Sequence, residues 1–270
     1  MVASIEFRNV TYRYAEQPSS QAVLSNISFT IQSGEFVCLI GRSGCGKTTL
    51  LRLLAGLAFP AEGDIRINGR PVTGPGTDRS LVFQSDTLFP WMTARKNVMF
   101  GIQQAWKLGR REAQRLADSF LEQVGLLDAA DKYPYQLSGG MRQRVSIARS
   151  LAMDTDILLL DEPFGALDAK LRAELQSLLE ALTHNSRQRD RTVLFVTHDI
   201  QEAVFLADRV LYMEPGRIAE EISIPLPRPR NAPDGHNAAQ MLALRSRLLG
   251  LFHQQPTGGE TVCGPFCDGS

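Results

Sequence analysis

A glycine-rich segment between two apolar runs has the residue types of a phosphate-binding loop. Residues 41–50 read GRSGCGKTTL and follow the apolar run 36–40. The segment fits the pattern G-x-x-x-x-G-K-[ST], in which backbone N–H groups point at phosphate oxygens, the lysine reaches the β and γ phosphates and the hydroxyl suits Mg²⁺. The predicted nucleotide-binding residues are Gly41, Arg42, Ser43, Gly44, Cys45, Gly46, Lys47, Thr48 and Thr49.

Two acidic residues after another apolar run supply complementary chemistry. Asp161 and Glu162 follow the run 157–160. An acid at the carboxyl end of a parallel strand can hold Mg²⁺ through water, and the next acid can polarise the water that attacks the γ phosphate. We therefore predict Thr48 and Asp161 as metal-site residues and Glu162 as the general base. The two motifs indicate a nucleotide hydrolase, a class that GTPases, helicases and many kinases share.

A third motif indicates which kind of nucleotide hydrolase the chain is. The sequence LSGGMRQR at 137–144 resembles the LSGGQ signature of the ATP-binding cassette (ABC) family, with Met141 in place of the glutamine. Ser138, Gly139 and Gly140 precede a helical run, so they form a second helix N-terminus with free N–H groups and a hydroxyl suited to a γ phosphate. We expect Met141 to be tolerated because it is not among the residues that face phosphate.

Four further residues match motifs of the same family, and the resemblance covers about residues 4–220. Gln84 matches the Q-loop, Asp168 the D-loop, His198 the switch histidine and Tyr14 the aromatic residue that stacks on adenine. The resemblance implies that Gln84 takes part at the Mg²⁺ site and in catalysis and that His198 contacts the γ phosphate and orients the water. It assigns Asp168 to the nucleotide site.

The family resemblance also implies the cofactors and the assembly. The nucleotide is ATP and the metal is Mg²⁺. Two subunits, a second copy of this chain or a homologous ATPase, are expected to sandwich two ATP molecules head to tail. The phosphate loop of one subunit then faces the signature of the other.

Periodicity predicts an α/β fold for the chain as a whole. Alternating apolar residues over 4–40 indicate short strands, and helical spacing within about 93–150 indicates a helical subdomain that carries the signature. The uninterrupted apolar runs 157–160 and 193–196 are typical of strands covered on both faces. We predict a P-loop NTPase core with a mostly parallel sheet, an N-terminal antiparallel β subdomain and a helical insert. The ABC ATPase domain is expected to span 1–225.

A C-terminal extension is predicted over 226–270. Residues 237–252 indicate one amphipathic helix that packs back on the cassette, with a regulatory role as the alternative. Cys263 and Cys267 form a C-x₃-C pair, and two ligands do not make a zinc site. A disordered tail is therefore predicted, unless a second subunit or His253 completes a metal site.

Composition and charge exclude several classes. The chain has 270 residues, 43% of them hydrophobic, and its 29 basic residues balance its 29 acidic ones. A neutral chain has no bulk attraction for nucleic acid, so no nucleic-acid partner is expected. The sequence also lacks a leader pattern and the roughly 18–20 consecutive apolar residues that cross a bilayer. We expect a peripheral protein at the cytoplasmic face of the inner (cell) membrane.

Such a single cassette resembles the motor subunit of a multi-subunit importer. Its expected partners are integral-membrane permease subunits and, indirectly, a periplasmic or extracellular solute-binding protein. The segments 74–79, 88–91 and 97–98 resemble ATPases that serve importers of nitrate, taurine, alkanesulfonate and bicarbonate. Importers of pyrimidine precursors or riboflavin remain alternatives.

Residues 85–105 are where such subunits receive the permease. Phe89, Trp91 and Met92 are predicted to be exposed docking contacts, although a Pro-Trp pair can equally pack inward.

Two alternative functions outside transport are less well supported by the sequence. A DNA-repair or chromosome ATPase would separate loop and signature by a long coiled coil, and here the gap is only about 90 residues without sustained heptads. A regulatory or translation-associated ABC ATPase usually carries two cassettes on one chain, whereas this chain has one.

Overall fold

The computed structural model describes residues 3–14, 22–84, 87–165, 167–184, 191–228, 230 and 237–253. The strands are β1 (Ile5–Tyr12), β2 (Leu24–Ile31), β3 (Phe36–Gly41), β4 (Glu62–Ile67), β5 (Arg70–Pro71), β6 (Arg79–Val82), β7 (Ile157–Asp161), β8 (Thr192–Thr197), β9 (Arg209–Glu214) and β10 (Arg217–Ser223). The α-helices are α1 (Lys47–Leu54), α2 (Ala94–Ala105), α3 (Arg110–Gln123), α4 (Gly139–Ala152), α5 (Ala169–His184), α6 (Ile200–Leu206) and α7 (Ala238–His253). Within these residues no helix combines the length and apolar character needed to cross a bilayer.

The N-terminal strands form an antiparallel sheet in the order β2-β1-β4-β5. Alternation along β1 buries Ile5 and Phe7, which lie opposite Ile31 and Phe29 on β2. The rings of Phe7 and Phe29 stack with centroids 4.5 Å apart. This agrees with the antiparallel subdomain that the sequence predicts.

The second sheet has the order β10-β9-β3-β8-β7-β6, and β9, β3, β8, β7 and β6 run parallel. Every residue of β3, β7 and β8 is buried. Along β3, Phe36 and Cys38 belong to one apolar core and Val37 and Leu39 to another. A strand with an apolar core on each face cannot alternate with polar residues, which explains the uninterrupted runs. The predicted fold class is confirmed.

The parallel strands bring three predicted functional segments to one edge of the sheet. The carboxyl ends of β3, β7 and β8 are Gly41, Asp161 and Thr197. Register supports this alignment, since Ile40 lies opposite Thr197 and Asp161 lies opposite Val196. The phosphate loop, the acidic pair and His198 therefore follow neighbouring strand ends, the usual ligand-binding edge of an open α/β sheet.

The helical insert lies between β6 and β7. Helix α2 packs on α3 and α4, and their apolar side chains join the core under the large sheet. Met141 also packs against this core while half-buried. An apolar residue at the last signature position is therefore accommodated by packing.

The C-terminal helix is where the extension meets the cassette. Helix α7, at Ala238–His253, lies where the sequence predicts a helix over 237–252, and it packs on α6. Leu248 is fully buried, whereas Leu242 and Leu249 are exposed. The helix is thus less amphipathic than expected, because its leucines lie on more than one face. Cys263 and Cys267 lie outside the described residues.

Candidate nucleotide site

The loop after β3 has the backbone of a phosphate cradle. Gly44 and Gly46 adopt φ values of +79° and +112°, the left-handed region that favours glycine. A Cβ at Gly46 would lie 2.7 Å from the Leu24 side chain and 2.9 Å from that of Met213. Helix α1 begins at Lys47, directly after Gly46. Free N–H groups at the start of α1 therefore face the loop, where they favour an anion.

Lys47 is held over this loop. Its side chain is buried, and its ammonium donates to the carbonyls of Gly41 at 2.8 Å and Arg42 at 3.0 Å. A phosphate oxygen is a stronger, charge-assisted partner for the same ammonium. The loop therefore holds the lysine ready for a phosphate group.

Thr48 and Asp161 form the candidate metal site. The Thr48 hydroxyl donates to Asp161 Oδ1 at 3.2 Å, and Asp161 is buried. Burial raises the pKa of the Asp161 carboxyl, and the hydrogen bond from Thr48 opposes this. A bound cation would favour the charged carboxylate, and hydroxyl and carboxylate oxygens are ligands of the kind Mg²⁺ prefers. The donor set therefore fits Mg²⁺.

Glu162 is the meeting point of the predicted catalytic residues. Its φ of +46° is uncommon for a residue other than glycine, and its N–H donates to Val196 O at 2.9 Å on β8. Gln84 Nε2 donates to Glu162 Oε2 at 3.3 Å, and His198 Nδ1 lies 3.2 Å from the same oxygen. One carboxylate thus joins residues that follow three different strands.

A cavity of about 390 Å³ connects most of these groups. Tyr14 is exposed at its rim, and its hydroxyl lies 3.1 Å from Thr49 Oγ1. The ring thus lies beside the loop, and its stacking on adenine stays a prediction. The lining residues are Tyr14, Val23, Ser43, Gly44, Gly46, Lys47, Thr48, Thr49, Gln84 and Glu162.

Two predicted loop residues turn their side chains elsewhere. Arg42 contributes its carbonyl to Lys47, while its guanidinium donates to Phe252 O at 2.7 Å on α7. Cys45 is buried, with its sulfur 3.9 Å from Lys47 Nζ. Neither residue lines the cavity. Sequence spacing alone gave no sign that Arg42 reaches the C-terminal helix.

The signature residues do not join this cavity. Ser138 caps α4 by accepting from Met141 N at 3.3 Å, and Ser138 and Gly139 are exposed while Gly140 is half-buried. Asp168 is exposed and accepts from Leu171 N at 2.9 Å at the start of α5. The structure thus brings together the loop, the acidic pair, Gln84 and His198, but leaves the signature and Asp168 apart from them.

A buried carboxyl below His198 was not predicted. Glu202 on α6 is buried and accepts from Thr197 Oγ1 at 2.6 Å, and the same hydroxyl accepts from Asp199 N at 3.0 Å. Burial raises the pKa of Glu202. These bonds fix the turn that carries His198. The sequence VTHDIQE contains the pair, but glutamate is so often exposed that its burial could not be read from the pattern.

A second surface lies on the helical insert. Trp91 is 67% exposed, while Phe89 and Met92 are half-buried. Buried Asn97 holds this segment through its amide, accepting from Phe89 N at 2.8 Å and donating to Phe89 O at 3.2 Å and Met92 O at 3.1 Å. Beside it is a groove of about 510 Å³ whose lining includes Met92 and Phe100. Of the three predicted docking residues, Trp91 is thus the most exposed.

Comparisons with known proteins agree with this geometry. A family model described as ABC transporter matches residues 24–165, which include the loop, the signature and the acidic pair. The bicarbonate transport ATP-binding protein CmpD of Synechocystis is 46% identical over 234 residues, covering 85% of this chain and 82% of that protein. The nitrate transport protein NasD of Klebsiella oxytoca is 42% identical over 258 residues, covering 93% and 97%.

A solved structure extends the likeness to three dimensions. It is a dimeric, post-hydrolysis state of an ATP-binding cassette bound to ADP and Pi, with a TM-score of 0.76 and 32% identity, covering 82% of this chain and 99% of that one. The family resemblance and the fold class predicted from the sequence are both confirmed.

Proposed function

The chain belongs to the ABC transporter family, and from that premise we propose that it is the ATP-hydrolysing motor of an importer for a small anion. It is an ABC-type ATPase, and ATPases of this family dimerise and work with membrane permeases. The observation that carries the proposal is the convergence of Gln84 and His198 on the Glu162 carboxylate, beside the cavity that holds Lys47 and Thr48.

The residues divide the chemistry between binding and proton transfer. Lys47 and the loop N–H groups bind the phosphates of ATP, and Tyr14 stacks on the base. Thr48 and Asp161, with Gln84, hold Mg²⁺, which neutralises phosphate charge when bound. Glu162 accepts the proton of the water that attacks the γ phosphorus, while the bond to the β–γ bridging oxygen breaks.

Gln84 and His198 orient the Glu162 carboxylate. Both contact Oε2, which restricts the rotation of that carboxyl group. The His198 side chain is 66% exposed, so a γ phosphate and its water can reach it. A carboxylate oriented in advance loses less entropy when the water is positioned.

The active site is completed by a second subunit. Ser138, Gly139 and Gly140 lie outside the cavity of their own chain, and Ser138 and Gly139 are exposed. In a head-to-tail pair, the N-terminus of α4 from one subunit meets the γ phosphate held by the other. Asp168 then lies at the contact between the subunits. The dimeric state of the solved relative supports this arrangement.

The transported solute and the remaining partners are inferred from sequence similarity to transport proteins. Similarity to a bicarbonate and a nitrate transport protein supports a small anion such as nitrate, sulfonate/taurine or bicarbonate. Permease subunits dock at the groove beside Trp91, which places the ATPase at the cytoplasmic face of the membrane. A periplasmic or extracellular solute-binding protein delivers the anion to the permease.

Replacement of Glu162 by Gln tests the hydrolytic part of the proposal. The change removes the proton acceptor but leaves Lys47, Thr48 and Asp161 in place. We expect ATP binding to survive and turnover to fall by roughly 10²–10⁴-fold. Lys47→Ala is the matched contrast, since it should weaken nucleotide binding itself. Hydrolysis by Glu162→Gln within a few-fold of wild type would assign the catalytic base elsewhere.

Reconstitution tests the transport part. The ATPase, its permease and its solute-binding protein would be placed in vesicles, and ATP-dependent uptake of labelled nitrate, taurine or bicarbonate would be measured. Uptake that requires Glu162 supports the proposal, and hydrolysis that no permease or anion stimulates contradicts it.

A further inference from the structure

The C-terminal end of α7 contacts the cassette at the phosphate loop. The Arg42 guanidinium donates to Phe252 O at 2.7 Å, and the Tyr212 hydroxyl donates to Leu251 O at 3.0 Å. The rings of Tyr212 and Phe252 meet edge to face, 5.4 Å apart. The last carbonyls of a helix carry partial negative charge, so a guanidinium and a hydroxyl are suitable partners for them.

Both donors are connected directly to the nucleotide-binding backbone. Arg42 is the second residue of the loop, and its carbonyl accepts from Lys47 Nζ at 3.0 Å and from Cys45 N at 3.3 Å. Tyr212 lies on β9 opposite Ile40, one residue before the loop begins. A shift of the Arg42 backbone therefore moves a carbonyl that holds the phosphate-binding lysine.

Helix α7 is anchored well enough to act as a fixed support. Leu248 is fully buried in the core that also contains α6, and Arg247 forms an ion pair with Glu220 on β10. These contacts fix the last two turns, next to the carbonyls that hold Arg42 and Tyr212.

We propose that the C-terminal end of α7 positions the phosphate loop for ATP through Arg42. Arg42 is then a positioning residue, and the extension sets the affinity for nucleotide. This inference rests on the proposed ATP site. It adds that α7, which lies beyond the catalytic core, contributes to the affinity of that site for ATP.

A double-mutant cycle in the full-length chain tests the idea. Arg42→Met removes the donor, and Leu248→Asn releases α7, which hydrogen exchange of the amides at 248–253 would verify. Each change should weaken binding of a fluorescent ATP analogue by about fivefold to tenfold, which is the size expected for the net loss of one hydrogen bond. The double variant should be no weaker than either single one, since both break the same connection.

Three controls separate positioning from general destabilisation. Leu249→Asn changes an exposed leucine of the same helix and should leave affinity unchanged. Arg42→Lys keeps a donor and should recover most of the affinity. In hydrolysis assays the loss should appear in KM while kcat stays within about twofold, the pattern of lost uniform binding.

Several results would overturn the proposal. Multiplied effects in the double variant would mean that Arg42 acts on the nucleotide directly. Unchanged affinity in a Leu248→Asn chain whose α7 amides exchange rapidly would also refute it. If Leu248→Asn unfolds the chain or leaves α7 docked, Tyr212→Phe replaces it in the cycle, with about a twofold loss and the same non-additivity expected. Wild type that binds no ATP analogue would contradict the proposed function instead.

Discussion

Replacement of Arg230 by Met should lower the stability of the whole chain, because this buried cation closes the end of α6. The Arg230 side chain is only 1% exposed, and burial, with Arg228 nearby, lowers its pKa to about 10, so it stays protonated at pH 7. The guanidinium donates to the carbonyls of Val204 at 3.0 Å, Phe205 at 3.0 Å, Ala207 at 2.6 Å, Ile224 at 3.3 Å and Leu226 at 3.4 Å.

The size of the effect follows from the acceptors that lose their donor. The carbonyls of Val204, Phe205 and Ala207 lie at or just beyond the end of α6, which stops at Leu206. An unsatisfied buried acceptor costs about 1–3 kcal/mol. Taking about 1 kcal/mol for each gives a loss of ~3 kcal/mol, near the lower end of the range for breaking a buried charged network. For a chain of this size that corresponds to a fall in Tm of about 6–12 °C.

Thermal unfolding by circular dichroism and urea unfolding would measure this loss. Arg217→Met is the matched control, since Arg217 is exposed, pairs with Glu214 on the surface and should cost less than about 1 kcal/mol. If Arg230→Met unfolds within about 2 °C of wild type, water or another donor satisfies these carbonyls and the reasoning is wrong. Helix α7 packs on α6, so the variant should also raise hydrogen exchange in α7.

Two further predictions concern the shared active site and the turn below His198. In a Glu162→Gln background, Ser138→Arg should abolish ATP-dependent dimers in size-exclusion chromatography. The affinity of the monomer for an ATP analogue should change by less than about threefold, or under ~1 kcal/mol. A parallel loss of monomer affinity would instead place Ser138 at the nucleotide of its own chain. Burial raises the pKa of the Glu202 carboxyl above its ordinary value of 4.5, so the folded state binds a proton there more tightly than the unfolded state does. The stability that this proton contributes is lost as the pH rises through the folded-state pKa. In urea titrations Glu202→Gln should therefore gain stability relative to wild type as the pH rises above about 4.5, and a pH-independent difference would contradict the assignment.

The fold was predictable where a residue pattern reports local physics. Buried strands such as β7 read as unbroken apolar runs because both faces are covered. The phosphate loop could be predicted because the left-handed backbone at Gly44 and Gly46 favours glycine. The assignment of Gln84 and His198 to the nucleotide site came from family resemblance, and their contacts with Glu162 were not predicted, since residues 36 and more positions apart carry no periodic signal of contact.

What the sequence could not supply were contacts that depend on tertiary placement. Arg42 looked like any loop residue, yet α7 draws its guanidinium away from the cavity. Glu202 looked like an exposed helical glutamate and is buried against Thr197. Helix α7 was predicted to be amphipathic, but Leu242 is exposed, because the cassette covers only the side that bears Leu248.

The amide of Asn97 has a consequence for how importers of this kind diversify. Asn97 holds Phe89 and Met92 by their backbone N–H and carbonyl groups, so these hydrogen bonds do not depend on the side chain of Trp91. The exposed side chain of Trp91 can therefore be exchanged while the backbone of the segment keeps these hydrogen bonds. With permease subunits docked there as proposed, substitutions at Trp91 would re-pair a duplicated ATPase with a different permease, while the hydrolytic machinery stays intact.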